Sequence, residues 1–463
     1  MLLALAALLF AGVFQIQNAI NTDRERLGLT KVAPLENAPP VLAFTTVALG
    51  GFRGLIANAL WIRLNDLQEE EKFFEMVQLS DWITKLEPHF VQVWVMQGWN
   101  MAYNISVKFK NSEDRWRWVQ RGIALLRDEG LKYNPDETLI YRELSWFYQH
   151  KMGQNLDDAH MLYKFRWAEE MQQVLGDHPD IAELANPTTD DARRRAKILR
   201  EKYKLDPAIM EFIDKEYGPM EWRLPDAHAI YWAEMGRRKA KPSDQETLRR
   251  SIYQTMQQAC IRGALSKSPT GEFMLGPKLD LVPKVSAAYE RMIAEEPNIK
   301  DNMRTAHRNF LRTAVYLLYV DGRQKQAQYW FDYMKKLYPN ALPPDLGLDD
   351  YALTSITEEV TDTDVNKVTV IVDGLLRQSF MRLMTDEDDS ATNFERLAKR
   401  LYDRHQAKTP GTKDRITLPA FASMKKKVLD EMLQVPQYAP ILRTKLNLPA
   451  APAINAPAEA ARP

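Results

Sequence analysis

The sequence predicts an all-α chain: an irregular α-solenoid of helix pairs with an N-terminal membrane helix and a small hairpin insertion. Three observations predict it. The chain has only 19 glycines in 463 residues and is rich in Leu, Ala, Glu, Lys, Arg, Gln and Met, the residues that cost least in a helix. The stretch Asn309–Asn340 carries two amphipathic helical patterns around Asp321-Gly322. Helix-like segments that stop at a proline recur upstream, at Pro88, Pro135 and Pro207.

The stretch Asn309–Asn340 sets the template. Leu311, Ala314, Val315 and Leu318 fall at i, i+3, i+4 and i+7, one face of a helix. Ala327, Trp330, Phe331, Met334 and Leu337 repeat the pattern after the turn. Pro339 closes the unit, because proline lacks the N–H that would continue the helix. Such a pair cannot bury both faces alone, so it implies neighbours.

This unit resembles a tetratricopeptide repeat, a helix–turn–helix of about 34 residues. Gly322 matches the family's turn glycine, Ala327 the small residue where the helices cross, Phe331 the large apolar residue one turn on, and Pro339 the closing proline. Leu311 stands where the family prefers Trp, and Met334 where it prefers Ala. Trp82–Pro88, Leu131–Pro135 and Tyr203–Pro207 echo the end of such a unit, and Asp158-Ala159 precedes a helix that could fill its second half. The prolines are unevenly spaced, so the resemblance is to a divergent, interrupted repeat array over 51–340. Gly50–Leu55, leading into Trp61, is similar to the start of membrane-anchored helical-repeat proteins of bacteria.

The termini frame that array. Leu2–Phe14 contains no polar side chain, and no surface helix is apolar on every side. Its 13 residues would span about 20 Å as helix, and extension to Ile20 reaches the roughly 30 Å of a bilayer core. A signal peptide would carry a basic flank and a small-x-small cleavage site. No Lys or Arg precedes the run, and Val13-Phe14-Gln15-Ile16 is bulky. An uncleaved single-pass anchor over 1–20 is therefore expected, with a cleaved signal-like segment as the alternative. The basic residues Arg24, Arg26 and Lys31 would hold the bulk of the chain in the cytoplasm by the positive-inside rule. Anchors at an extreme N-terminus commonly export the rest of their chain, and the extracytoplasmic side is the one expected here. A linker and short apolar segment occupy 21–50, with Val41–Leu49 as the apolar part. A C-terminal helical region is expected over 341–448 and a disordered Ala/Pro tail over 449–463.

Within the array, helical patterns run at about 72–87, 90–107, 113–129, 137–151, 156–175, 190–204, 226–236, 244–262 and 299–338. Thr189 can cap the helix that begins after it. Ser268–Gly271 between apolar stretches suggests the hairpin. Beyond the array, patterns run at about 361–385, 389–407 and 418–434, with Asp386–Asp389 as a solvated helix junction.

Composition narrows the function classes. Basic and acidic residues balance at 62 each, which removes any overall electrostatic case for nucleic acid. The 11 tryptophans and 18 tyrosines read as filling between helix layers. The single cysteine, Cys260, allows no intramolecular disulfide and reads as a small buried apolar residue.

Motifs for chemistry are sparse. The seven histidines include no HExxH pair, and neither a phosphate-cradling GxxxxGK[ST] loop nor a GxSxG elbow occurs. Asp157, Asp158 and His160 read as a helix start rather than a metal site. No metal, cofactor or catalytic residue is predicted. The densest special cluster is Glu221–His228, with Arg223, Asp226 and His228 flanked by Trp222 and Trp232. An enzyme would use such a group for acid–base work. A repeat protein would use it as a turn, with Asp226 capping the helix and His228 packed in the layer.

The expected function is a membrane-anchored scaffold that binds protein partners through a groove of stacked helices. Arg308, Arg312 and Tyr316 lie off the Leu311–Leu318 stripe and are the candidate protein-binding residues; Gln324 and Gln328 are further choices. The alternative is a helical enzyme or enzyme subunit with a site near Trp222–Trp232.

Overall fold

The structure, a computed structural model, describes residues 53–154, 156–267, 273–295, 297–357, 365–408 and 418–449, with scattered residues between 12 and 26. The predicted anchor, linker and Ala/Pro tail lie wholly or mostly outside the described residues, as does the turn Ser268–Gly271. Among the described residues no helix is long and apolar enough to cross a membrane. Among the described residues the fold is all-α apart from one two-stranded sheet. The chain forms two compact units, Met1–Glu143 and Leu144–Pro463.

The first unit holds α1 (Arg53–Glu69), α2 (Phe73–Leu86), α3 (Val91–Trp99) and α4 (Ser112–Ala124). Helix α3 continues as a widened π-type turn over Asn100–Ile105, and α4 likewise over Leu125–Gly130. Ala57, Leu64 and Leu67 of α1 bury against Met76 and Ile83 of α2 and Val93 of α3. The Asn111 side chain accepts the Glu113 N–H at 2.8 Å, which satisfies one of the donors a helix start leaves open. Two of the proline-terminated motifs meet here. Asn134, beside Pro135, donates its side-chain amide to the Pro88 carbonyl at 2.8 Å. The Trp94 indole N–H donates to the same oxygen at 2.9 Å.

Helix α5 (Thr138–Trp146) runs across the boundary and widens into a π-type turn over Phe147–Gly153. The second unit continues with α6 (His160–Leu175), α7 (Ile181–Ala185), α8 (Asp190–Lys202), α9 (Pro207–Glu216), α10 (Pro225–Lys239) and α11 (Pro242–Arg262). Thr189 Oγ1 accepts the Ala192 N–H at 3.1 Å, the expected cap of α8. The hairpin is present: β1 (Ala264–Lys267) pairs antiparallel with β2 (Phe273–Gly276), Ala264 opposite Gly276. Then come α12 (Val282–Glu295), α13 (Lys300–Val320), α14 (Gln324–Leu337) and α15 (Leu348–Thr357). The last four helices are α16 (Val365–Met384), α17 (Asp388–Lys408), α18 (Phe421–Leu433) and α19 (Ala439–Lys445). Helices α16 to α19 share a core of Val372, Leu376, Phe380, Leu401, Val428 and Leu442.

One motif corrects the sequence reading. Pro207 does not close a helix after Tyr203. It opens α9 at the first helical position, with Asp206 Oδ1 accepting the Ala208 N–H at 3.2 Å. At that position the missing N–H costs nothing, because no partner would exist for it. Helices α7, α9, α12, α15 and α19 add to the periodic segments found in the sequence.

The template pair forms as α13 and α14. Leu311, Ala314, Val315 and Leu318 are buried, as are Ala327, Phe331 and Met334. Trp330 is half-buried and Leu337 is exposed, so the stripe of α14 is narrower than its spacing suggests. Gly322 holds φ at +85°, where a β-carbon is disfavoured. A β-carbon there would also press on the Asn393 side-chain amide.

Replacement of core and surface rings in α14 tests this burial. Phe331 is 2% exposed and packs at 5.5 Å from the Tyr351 ring; Phe331→Ala is expected to cost about 3–5 kcal/mol. Tyr329 is 61% exposed, and Tyr329→Ala should stay within about 0.5 kcal/mol of the parent. Denaturant unfolding of the two variants compares them.

Candidate functional site

The Glu221–His228 segment does not converge on an open pocket. Arg223 and Glu221 pair with each other, Nε to Oε1 at 2.8 Å and Nη2 to Oε2 at 2.9 Å. His228 is buried between aromatic rings, 4.9 Å from Trp167 and 5.3 Å from Tyr148 between centroids. Its Nε2 lies 2.8 Å from the Trp222 carbonyl oxygen. A carbonyl can only accept, so Nε2 carries the proton. Asp226 is not the cap of α10. The helix begins at Pro225 with Leu224 in the capping position and no side-chain cap bond, and Asp226 turns inward, 4% exposed.

The surroundings of Asp226 are not legible in the sequence. Lys164 of α6 and Arg262 at the end of α11 act on its carboxyl electrostatically. Lys164 is 2% exposed. Its Nζ lies 2.8 Å from His160 Nδ1 and donates to the Gln154 carbonyl at 3.3 Å. Gly153 supplies the room. A β-carbon there would lie 2.9 Å from the Tyr148 carbonyl oxygen and 3.2 Å from Asp226 Oδ1. A buried ion pair adjoins in sequence, with Lys151 Nζ on Asp157 Oδ2 at 2.6 Å. The Tyr163 hydroxyl donates to the same oxygen at 3.2 Å, and Asp157 Oδ1 accepts the Ala159 N–H at 2.9 Å. Asp157 thus serves a lysine and the start of α6. Among the described residues no group of three or more His, Cys, Asp or Glu side chains is placed to hold a metal ion.

Burial sets the protonation of this cluster. It pushes Asp226 up to about 6, against the pull of Arg262 and Lys164. It pushes Lys164 down to about 8, with Arg262 adding to the effect and Asp226 opposing it. Both shifts follow from the cost of charge away from water.

A second polar network lies in the template pair. The Tyr338 hydroxyl and His307 Nδ1 are 2.9 Å apart, and His307 Nε2 and Ser286 Oγ are also 2.9 Å apart. Ser286 Oγ donates to Glu290 Oε1 at 3.0 Å, and Tyr333 donates to that same oxygen. The hydrogens can run only one way. Ser286 gives its proton to the carboxylate, so His307 donates to Ser286 and accepts from Tyr338. A nucleophilic serine needs the reverse, with imidazole accepting from the hydroxyl. Burial also pushes His307 down to about 4. The network is a satisfied tie between α12, α13 and the chain after α14.

The predicted groove residues are only partly open. Arg308, Arg312 and Tyr316 are all half-buried on one face of α13. The Tyr351 hydroxyl of α15 donates to the Arg312 carbonyl at 2.8 Å, so the chain's own next helix approaches this face. Gln324 and Gln328 fare differently. They line an open concavity of about 590 Å³ with Lys325, Leu348 and Asp350, between the starts of α14 and α15.

No protein-family model, curated protein or solved structure matches the chain.

The buried carboxyl gives a pH signature. Asp226 binds its proton more tightly folded than unfolded, so its contribution is full below about pH 3.8 and is lost as pH rises through about 6. Linkage makes that loss up to about 3 kcal/mol. The stability advantage of the parent over Asp226→Asn should therefore shrink between pH 4 and pH 7. Denaturant titrations at each pH measure it, and a pH-independent difference would show that Asp226 is not held protonated.

Proposed function

We propose that the chain is a membrane-anchored helical-repeat scaffold that holds a protein partner at a membrane surface. The observation that carries this is the open concavity at Gln324, Gln328, Leu348 and Asp350, formed where the template pair meets the helix after it. The packing order supports it. In the second unit most helices pack on their sequence neighbours: α10 on α11, α11 on α12, α12 on α13, α13 on α14, α16 on α17. Neighbour-on-neighbour packing is the physical basis of solenoids, whose inter-repeat grooves bind partners. The tetratricopeptide-like assignment rests on the left-handed Gly322, the buried Ala327 and Phe331, and Pro339 beyond the end of α14. The apolar run Leu2–Phe14 supplies the anchor, and the expected side is extracytoplasmic.

An enzyme or enzyme subunit with a site near Trp222–Trp232 is the second reading. The displaced Asp226 and Lys164 favour it, since such groups gather at active sites. Their burial and that of His228 oppose it, because a substrate must reach the reacting group.

Two measurements bear on the scaffold. The full chain should fractionate with membranes and a chain starting at Asn21 should not; equal solubility would remove the anchor. A photoreactive residue at Gln328 should give a discrete protein adduct that the same residue at Lys336 does not. Equal labelling from both positions would count against the groove.

A further inference from the structure

We propose that His160 and Lys164 form an acid-released latch that holds the first turn of α6 against the widened turn before it. The connecting loop is tied at two points. At one, Asp157 accepts from Lys151 Nζ at 2.6 Å and from the Tyr163 hydroxyl at 3.2 Å. At the other, Lys164 Nζ donates to the Gln154 carbonyl at 3.3 Å and lies 2.8 Å from His160 Nδ1. The second tie joins the end of the widened turn to the first residue of α6 through a lysine drawn from the core. Leu156, in the loop between them, is exposed.

The direction of one hydrogen bond makes the second tie sensitive to acid. An ammonium has only donors, so His160 Nδ1 must accept and the ring proton sits on Nε2. A proton added at Nδ1 removes the acceptor and leaves two cations in contact. His160 also opens α6, and a helix start disfavours positive charge. Burial, Lys164 and Arg262 of α11 hold the imidazole below its ordinary range, and Asp157 of the loop opposes them. The stability supplied by the neutral ring is therefore present at neutral pH and is lost as pH falls below the usual imidazole value. Acid also gives Asp226 of α10 its proton, which takes a carboxylate away from Lys164 and Arg262. His150 of the widened turn stacks on Trp146 at 4.5 Å. The first tie survives acid. Burial works against charge on Asp157, but Lys151 and the Ala159 N–H hold its carboxyl below the usual carboxylate range. Release is thus confined to the loop and the first turn of α6, and it bares Lys164 and Asp226, both buried in the closed form.

Hydrogen exchange of the full chain tests the latch, compared at about pH 7 and about pH 5 and corrected for intrinsic rates. Peptides covering 154–163 are expected to lose protection severalfold at the lower pH, while peptides over 311–318 of α13 keep theirs. His160→Gln keeps an acceptor for Lys164 but takes up no proton, so its loop should stay closed at both pH values. Asp226→Asn should still open, which separates the latch from the buried carboxyl. Nitrogen NMR of labelled histidines reads the tautomer, with the His160 proton expected on Nε2 at neutral pH. A parent loop that stays closed in acid would overturn the latch, as would a His160→Gln loop that opens like the parent. Opening abolished by Asp226→Asn would assign it to Asp226 instead. Equal loss over 311–318 would reduce it to global unfolding, and a proton on Nδ1 at neutral pH would remove its chemical basis.

Discussion

Where α6, α10, α11 and the widened turn Phe147–Gly153 come together, ionisable side chains leave water in one place. Lys151, Lys164 and Asp226 are each under 5% exposed, and Arg262 is half-buried beside them. A lone buried charge is costly, and a buried pair repays only part of that cost. Lys151 offsets that cost through Asp157, and Lys164 through His160 and the Gln154 carbonyl, whereas Asp226 offsets it by holding its proton. At Gly153 a single methyl group would collide with a backbone carbonyl and crowd Asp226.

The His307 network repeats the principle in the template pair. It uses hydrogen count instead of charge. Each donor from Tyr338 to Glu290 has one acceptor, and the chain of bonds is complete. A buried polar network is stabilising when fully satisfied and disruptive when partly satisfied. Three helical segments are thereby held in one arrangement by groups that apolar packing could not orient. His228 Nε2 donates to a carbonyl and His307 Nε2 to a serine, so each of these nitrogens already carries a proton.

The helical class and the template pair are readable in the sequence because both depend on local rules. Period 3.6, the Asp321-Gly322 turn and the Thr189 cap are all set by residues within a few positions of one another. Pro207 misleads because proline marks helix ends and helix starts alike; the preceding Asp206 is the discriminating signal. The charge cluster is hidden for a different reason. Gly153, Lys164, Asp226 and Arg262 are brought together by tertiary packing, and no spacing rule connects them. Lys164 leaves one trace: it shares the core face of α6 with Tyr163, Trp167, Ala168 and Met171, all buried. A lysine on an apolar stripe calls for a buried partner.

The aromatic residues divide along the same line. Trp222, Trp232, Tyr148, Tyr163 and Phe310 are fully buried and serve as filling between helices. Their number in the sequence is explained by packing alone. A smaller set is not consumed by it. Phe74 stands out from the first unit and Tyr329 from α14, where it stacks on Tyr333 at 6.4 Å. Exposing a large ring to water forfeits the burial that would stabilise the fold. Phe74 recovers part of that loss edge to face against Trp118 at 5.8 Å and Phe109 at 6.3 Å, two half-buried rings of the same unit.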